Sequence, residues 1–214
     1  MIEIKKFICN RLEENCYLLW DETKEAVLID CGAFFEDERK EIVQFIRNNH
    51  LTLKHLLATH GHIDHHFGID TIYAEFGLRP SVSCKDTQLM NSLPDQAMLL
   101  LHMEIENTFP EPAHFFAEKE EICFGNQRLQ IIETPGHTQG SVTFYHPTEH
   151  LAFTGDTLFR GSVGRTDLPG GNMFQIINSL RELCQLPDQT RVFPGHGPET
   201  SIGFELAHNP YLDR

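Results

Sequence analysis

The chain has 214 residues, of which 40% are hydrophobic and 22% charged, and 31 acidic residues against 17 basic ones leave a net charge of −14. That length can bury roughly 70% of the unfolded surface within a single domain. The acidity leaves no basic stripe for a nucleic-acid backbone and no polybasic membrane anchor. No apolar run approaches the ~18–20 residues that span a bilayer, and the lysines at 5 and 6 are followed by no signal-peptide core. A cytoplasmic protein with no nucleic-acid or membrane partner is therefore expected. Cys9, Cys16, Cys31, Cys84, Cys123 and Cys184 form no C-x-x-C pair and read as reduced thiols.

Strand signals open the chain at Ile2–Ile8, Cys16–Trp20 and Ala26–Ile29, separated by short polar turns. Ile42, Val43, Phe45 and Ile46 then make a helical stripe within Phe35–Asn49. A strand over 53–58 leads into the most unusual stretch, residues 59–66, and a helix over 67–77 follows, stopped by Gly77 with Pro80 beyond. Val82–Cys84 reads as a short strand. Residues 85–109, rich in Met and Leu, read as a helical insertion whose methionines fill a core. Strands are expected again at 113–117, 121–124, 128–133, 141–146 and 150–154. A helix over Met173–Gln185, a strand at Arg191–Phe193 and a last helix near 200–207 complete the pattern. Strands and βα units repeated twice fit two packed sheets with helices outside.

Residues 59–66 read Thr-His-Gly-His-Ile-Asp-His-His. Imidazole and carboxylate are donors that zinc and its first-row neighbours accept, and a loop between a strand and a helix is where an α/β sheet presents chemistry. His60, His62, Asp64 and His65 are the candidates there. Three later loops also carry ligand-type residues directly after a predicted strand: His137 in Thr134-Pro-Gly-His-Thr138, Asp156 in Gly155-Asp-Thr157, and His196 in Pro194-Gly-His-Gly-Pro198. Seven such side chains are too many for one tetrahedral ion and suit two sharing a carboxylate. His66 reads as a helix-capping or solvent-facing residue, with a supporting contact to the metal loop as the other reading. Asp30 either orients a ligand histidine or forms the turn before Gly32. The other histidines (50, 55, 102, 114, 146, 150 and 208) have no ligand spacing.

The H-x-H-x-D-H pattern at His60–His65, with His137, Asp156 and His196 after it, resembles the metallo-β-lactamase superfamily. Asn15-Cys-Tyr-Leu18, Leu28-Ile-Asp30, Gly155-Asp-Thr-Leu-Phe159 and Gly164-Arg-Thr-Asp167 extend the resemblance over almost the whole chain. They bring it nearest to the short glyoxalase II-like members. The resemblance implies an α/β fold, a four-layer αβ/βα sandwich of two mixed β-sheets flanked by helices, as one domain over 1–214. It also implies that His60, His62 and His137 hold one ion and Asp64, His65 and His196 the other, with Asp156 bridging. Zinc is the expected metal, and iron and manganese suit the same donors. Asp156 stands where β-lactam-hydrolysing members commonly carry cysteine, and His62 where the flavodiiron reductases carry glutamate, so neither branch is expected.

The activity implied is hydrolysis of an acyl thioester by a hydroxide held between the ions, with Asp64 also orienting the nucleophile or shuttling its proton. Arg165 aligns with a basic substrate contact of glyoxalase II, against the plainer reading of a loop arginine paired with Asp167. Only about eighteen residues follow His196, so the helical glutathione-binding domain of glyoxalase II is not expected. Two aromatic positions of that family align with Asp167 and Pro198. A one-iron persulfide dioxygenase and a non-enzymatic, metal-stabilised binding protein are the competing readings.

Overall fold

The computed structural model describes residues 1–105, 107–117 and 119–212, and the side chain of Leu100 is not among what it describes. Residue 106, inside the predicted insertion, lies outside those residues. The chain divides into two compact units: Met1–Phe116 with Cys123–Gln127, and Ala117–Ile122 with Arg128–Arg214.

The first unit is built on a sheet of β1 (Glu3–Cys9), β2 (Glu14–Trp20), β3 (Glu25–Ile29), β4 (Thr52–Leu57), β5 (Pro80–Val82) and β6 (His114–Phe115), side by side in that order. β1, β2 and β3 form the antiparallel meander, while β3, β4, β5 and β6 run parallel, so the sheet is mixed. Parallel neighbours need crossovers, and helices supply them. The first is α1 (Glu36–Asn48), where Ile42, Val43 and Ile46 are buried, each contributing roughly 1.5–3 kcal/mol. Glu38 caps its start, accepting from the amides of Phe34 at 2.8 Å and Phe35 at 3.0 Å. The second, α2 (Ile69–Phe76), stops at Gly77, whose φ of 71° is left-handed; glycine takes that conformation without a Cβ penalty.

The strand expected at Val82–Cys84 starts earlier, because Ser83 accepts from the Lys85 amide and opens a 3₁₀ turn over Cys84–Asp86. The expected helical insertion is helical only over α3 (Thr87–Asn91) and α4 (Leu93–Leu101). His102 ends α4 in left-handed backbone with φ 53°, and no helix follows among the described residues up to 113, where Pro110 and Pro112 lack the amide a helix needs.

The second sheet contains β7 (Glu121–Phe124), β8 (Gln127–Glu133), β9 (Val142–His146), β10 (Leu151–Gly155), β13 (Arg191–Pro194) and β14 (Thr200–Ser201), in the spatial order β14-β13-β10-β9-β8-β7. It is mixed too: β10 and β13 are parallel, while β8–β9, β9–β10 and β13–β14 are antiparallel. The small hairpin of β11 (Leu158–Phe159) and β12 (Ser162–Val163) was not separated from the Asp156 loop by sequence pattern. Helices α5 (Met173–Leu183) and α6 (Ile202–His208) flank this sheet, packing Leu180, Leu183 and Ile202 with Val192 and Leu158, and Ile176 of α5 is buried as well. The hairpin tip Cys123–Gln127 belongs to the first unit. Buried Asp21 holds it, accepting from the Asn126 amide at 2.8 Å and the Gln127 side chain at 2.9 Å. Cys9, Cys16, Cys31 and Cys184 are buried free thiols; Cys84 and Cys123 are exposed. Burial, with Cys31 and Cys9 alongside, pushes the Cys16 thiol well above its ordinary range. No helix among the described residues is long and apolar enough to cross a membrane.

Candidate metal centre

In the first unit the C-terminal ends of parallel neighbours β3 and β4 lie together. The Asp30 amide donates to the Leu57 carbonyl at 2.8 Å, which puts the Asp30 carboxylate beside the loop leaving β4. One carboxylate then organises two rings. Oδ2 of Asp30 accepts from His65 Nδ1 at 2.9 Å and from the Thr59 hydroxyl at 2.8 Å, and Oδ1 accepts from the Thr59 amide at 2.8 Å. Since the Thr59 hydroxyl gives its proton to Asp30, its oxygen accepts from His60 Nδ1, 3.0 Å away. With both Nδ1 atoms engaged, Nε2 is the nitrogen that His60 and His65 could offer a metal. Asp30 pays for this with a left-handed φ of 56°, which aspartate tolerates better than most residues. Of the two readings of Asp30, its hydrogen bonds support the one in which it orients a histidine.

His60, His62 and His65 are all buried, with ring centroids 4.9 Å apart for His60–His62 and 4.3 Å for His60–His65. Asp64 Oδ2 lies 3.7 Å from His65 Nε2. His66 is not solvent-facing: its amide caps the 3₁₀ turn Ile63–His65 by donating to the Ile63 carbonyl at 2.9 Å, and its buried ring donates from Nε2 to the His60 carbonyl at 2.8 Å. Its pKa is lowered, mainly by burial, so a neutral ring braces the loop. Glu14, fully buried, accepts from the Gly32 amide through Oε2 at 3.1 Å, and its Oε1 lies 3.9 Å from His65 Nδ1. Burial pushes its carboxyl well above the ordinary carboxylate range.

In the second unit, strand direction again gathers the residues. β8, β10 and β13 all point the same way, so their C-terminal ends share one edge. Gly155 and Pro194 are in register, and the Gly195 amide donates to the Gly155 carbonyl at 2.8 Å, which sets Asp156 and His196 side by side. Asp156 Oδ2 stands 3.6 Å from His137 Nε2 and 3.6 Å from His196 Nε2. His137 Nδ1 donates to the Arg165 carbonyl at 2.8 Å, fixing its tautomer. Space here is tight. A Cβ on Gly164 would lie 1.7 Å from the Asp156 carbonyl oxygen, and one on Gly136, whose φ is 140°, would lie 2.3 Å from the Ile176 amide.

These distances suit a transition metal. Two donors each about 2.1 Å from a tetrahedral ion sit about 3.4 Å apart, close to the 3.6–3.7 Å spacings within each set and too long for hydrogen bonds. Arg165 is exposed, and its guanidinium makes a two-pronged pair with Asp167 at 2.8 and 2.7 Å. That pair holds the Asp167 carboxyl down at about 2. Thr59, Glu14, Asp86 and Gln96 contribute to the first loop without having stood out in the sequence, because contacts to backbone or to a ring's far nitrogen leave no spacing motif.

Residues 9–196 match the family described as the Metallo-beta-lactamase superfamily. The chain belongs to that superfamily. It is 38% identical over 203 residues to hydroxyacylglutathione hydrolase GloC of Haemophilus influenzae, covering 94% of this chain and 93% of that protein. Two solved structures are also similar. One, described as the BLEG-1 B3 metallo-beta-lactamase, superposes with a TM-score of 0.90 at 30% identity over 99% of this chain and 100% of the other. The second, TTHA1623 in a di-iron-bound form, gives 0.83 at 33% identity over 97% and 100%. The fold of two mixed sheets flanked by helices agrees with the expectation drawn from the motif.

Proposed function

We propose that His60, His62, Asp64, His65, His137, Asp156 and His196 hold two divalent ions and that the protein hydrolyses acyl thioesters. His60, His62 and His137 are assigned to one ion, Asp64, His65 and His196 to the other, and Asp156 to both. The observation that carries this reading is the single Asp156 oxygen equidistant from two imidazole nitrogens whose geometry is that of co-ligands. Zinc is the first choice by donor set; iron, which the di-iron relative contains, and manganese suit it as well. Bound there, two such ions supply Lewis acidity toward a carbonyl oxygen and a water that ionises near pH 7.

The chain's own part is positional. Asp30 and the Arg165 carbonyl lock the histidine tautomers, so no side chain has to reorganise when charge develops. Asp64, with one carboxylate oxygen beside His65, is placed to take or steer the proton of an attacking water. Arg165, on an exposed loop, would meet an anionic part of the substrate by exchanging its Asp167 partner. A thioester substrate is supported by the GloC relative, whose name specifies hydroxyacylglutathione.

Elemental analysis of protein purified without added metal, beside turnover of hydroxyacylglutathione, a glutathione-free acyl thioester, a β-lactam and a persulfide, tests the reading. Two ions per chain with thioester turnover support it. One iron with persulfide-dependent oxygen uptake replaces it with the dioxygenase, faster β-lactam turnover with a lactamase, and bound metal without turnover with a binding protein. Arg165→Ala should raise KM several-fold at unchanged kcat, the signature of lost uniform binding.

A further inference from the structure

The segment from Cys84 to Leu101 grips the first ligand loop from outside. Buried Asp86 accepts through Oδ2 from the Gly61 amide at 2.9 Å. Buried Gln96 uses both ends of its amide: Oε1 accepts from the Ile63 amide at 3.1 Å, while Nε2 donates to the carbonyls of Gly61 at 3.1 Å and Leu89 at 2.8 Å. The bonds to the loop fall on the peptide units 60–61, 61–62 and 62–63, the three links that run from His60 through His62 to Ile63. Packing is as close as the bonding. A Cβ on Gly61 would lie 2.7 Å from Leu89 Cβ and 3.2 Å from Asp86 Cβ, so only glycine between the two histidines lets the segment seat. Apolar burial alone does not call for this, since Met90, Leu93 and Ala97 already fill the core below.

We propose that Asp86 and Gln96 are positioning residues for metal binding: by holding three successive peptide units they set the angle at which His60 and His62 meet an ion. The inference rests on the metal assignment made above. A peptide rotation at Gly61 is passed along both flanking side chains to their ring nitrogens, so losing the grip detunes two ligands together. Outer partners of this kind typically change metal affinity ~10–100-fold.

Full-length protein, stripped of metal, is titrated with Co²⁺ against a chromophoric chelator while the cobalt d–d spectrum and the thermal unfolding of the metal-free form are recorded. Gln96→Met and Asp86→Ala should weaken Co²⁺ binding by about 10–100-fold and shift the d–d bands. Asp86→Asn, which keeps an acceptor for the Gly61 amide, should restore most of the affinity, and Gln96→Glu, which keeps only the acceptor, should fall between. Unchanged affinity and spectrum beside a lowered unfolding temperature would make both residues merely structural and overturn the proposal. If Asp86→Ala does not fold, the two near-isosteric Gln96 variants decide it. Wild-type protein that binds no Co²⁺ would sink the metal assignment and this inference together, whereas normal wild-type binding with unaffected variants sinks this inference alone.

Discussion

The two proposed ligand sets are held by different means. Around His60–His65 the backbone is pinned by side chains: Asp30 organises two rings, His66 braces the His60 carbonyl, and Asp86 and Gln96 clamp Gly61 and Ile63. Around His137, Asp156 and His196 the work falls to main chain and glycine, through the Gly195–Gly155 bond, the Arg165 carbonyl and the tight passes at Gly136 and Gly164. A contiguous ligand loop on one short 3₁₀ turn needs outside struts to keep its donors apart. Ligands delivered singly from three aligned strand ends are already spaced by the sheet, and need only room to turn. The first set should therefore respond in steps to side-chain changes, while the second should respond abruptly to added atoms.

The widest contrast comes from removing a ligand. Asp156→Ala takes the shared carboxylate from the second set, and loss of several kcal/mol of charge stabilisation should lower kcat/KM by about 10³-fold or more, with metal content falling in the same samples. A variant that kept both metal and rate would break the assignment. Gly164→Ala comes next. Its methyl cannot coexist with the Asp156 carbonyl at 1.7 Å, and a displacement of about 1 Å at the site should cost roughly 10²-fold in kcat. Near-normal turnover there would mean that the second set tolerates crowding, and the contrast would fail.

Asp30→Asn should act more gently on the first set. The amide still fills the space but accepts less well from His65 and Thr59, so metal affinity should fall ~10-fold or somewhat more, read by chelator competition, with the fold retained. The last effect lies away from both sets and bears on stability, not on metal or turnover. Burial raises the Asp21 carboxyl, but bonds from Thr23, Gln127 and Asn126 outweigh it and hold the pKa at about 2 against 3.8. A depressed carboxylate contributes stability that is complete above the unfolded value and lost as pH falls through the folded one. Asp21→Asn should accordingly cost about 2 kcal/mol near neutrality, with the difference from wild type closing as denaturation is repeated from pH 4 down to pH 2.

Sequence made some of this visible and hid the rest for physical reasons. The proposed ligands stood out because a metal site would need particular donors, and such donors sat after strands and beside glycines. The parallel ends of β3 and β4 and of β10 and β13 then brought together residues that had only looked alike. Asp86 and Gln96 were hidden, since a side chain that bonds to a peptide group imposes no pattern on what it touches. His66 misled because a histidine next to a helix start is ordinarily wet, and only burial under its own loop shows otherwise. The helix expected across 85–109 stopped at Leu101 because His102 turns the backbone left-handed, which the apolar period of Met and Leu does not signal.

The distribution of sulfur has a practical consequence. Four thiols are sealed in the interior, one of them further suppressed by its pKa, while Cys84 and Cys123 face solvent. An alkylating reagent therefore meets two reactive positions on the folded chain and six on the opened one. The mass increments of a timed labelling experiment count how often the interior is breached, with no dye or tag attached.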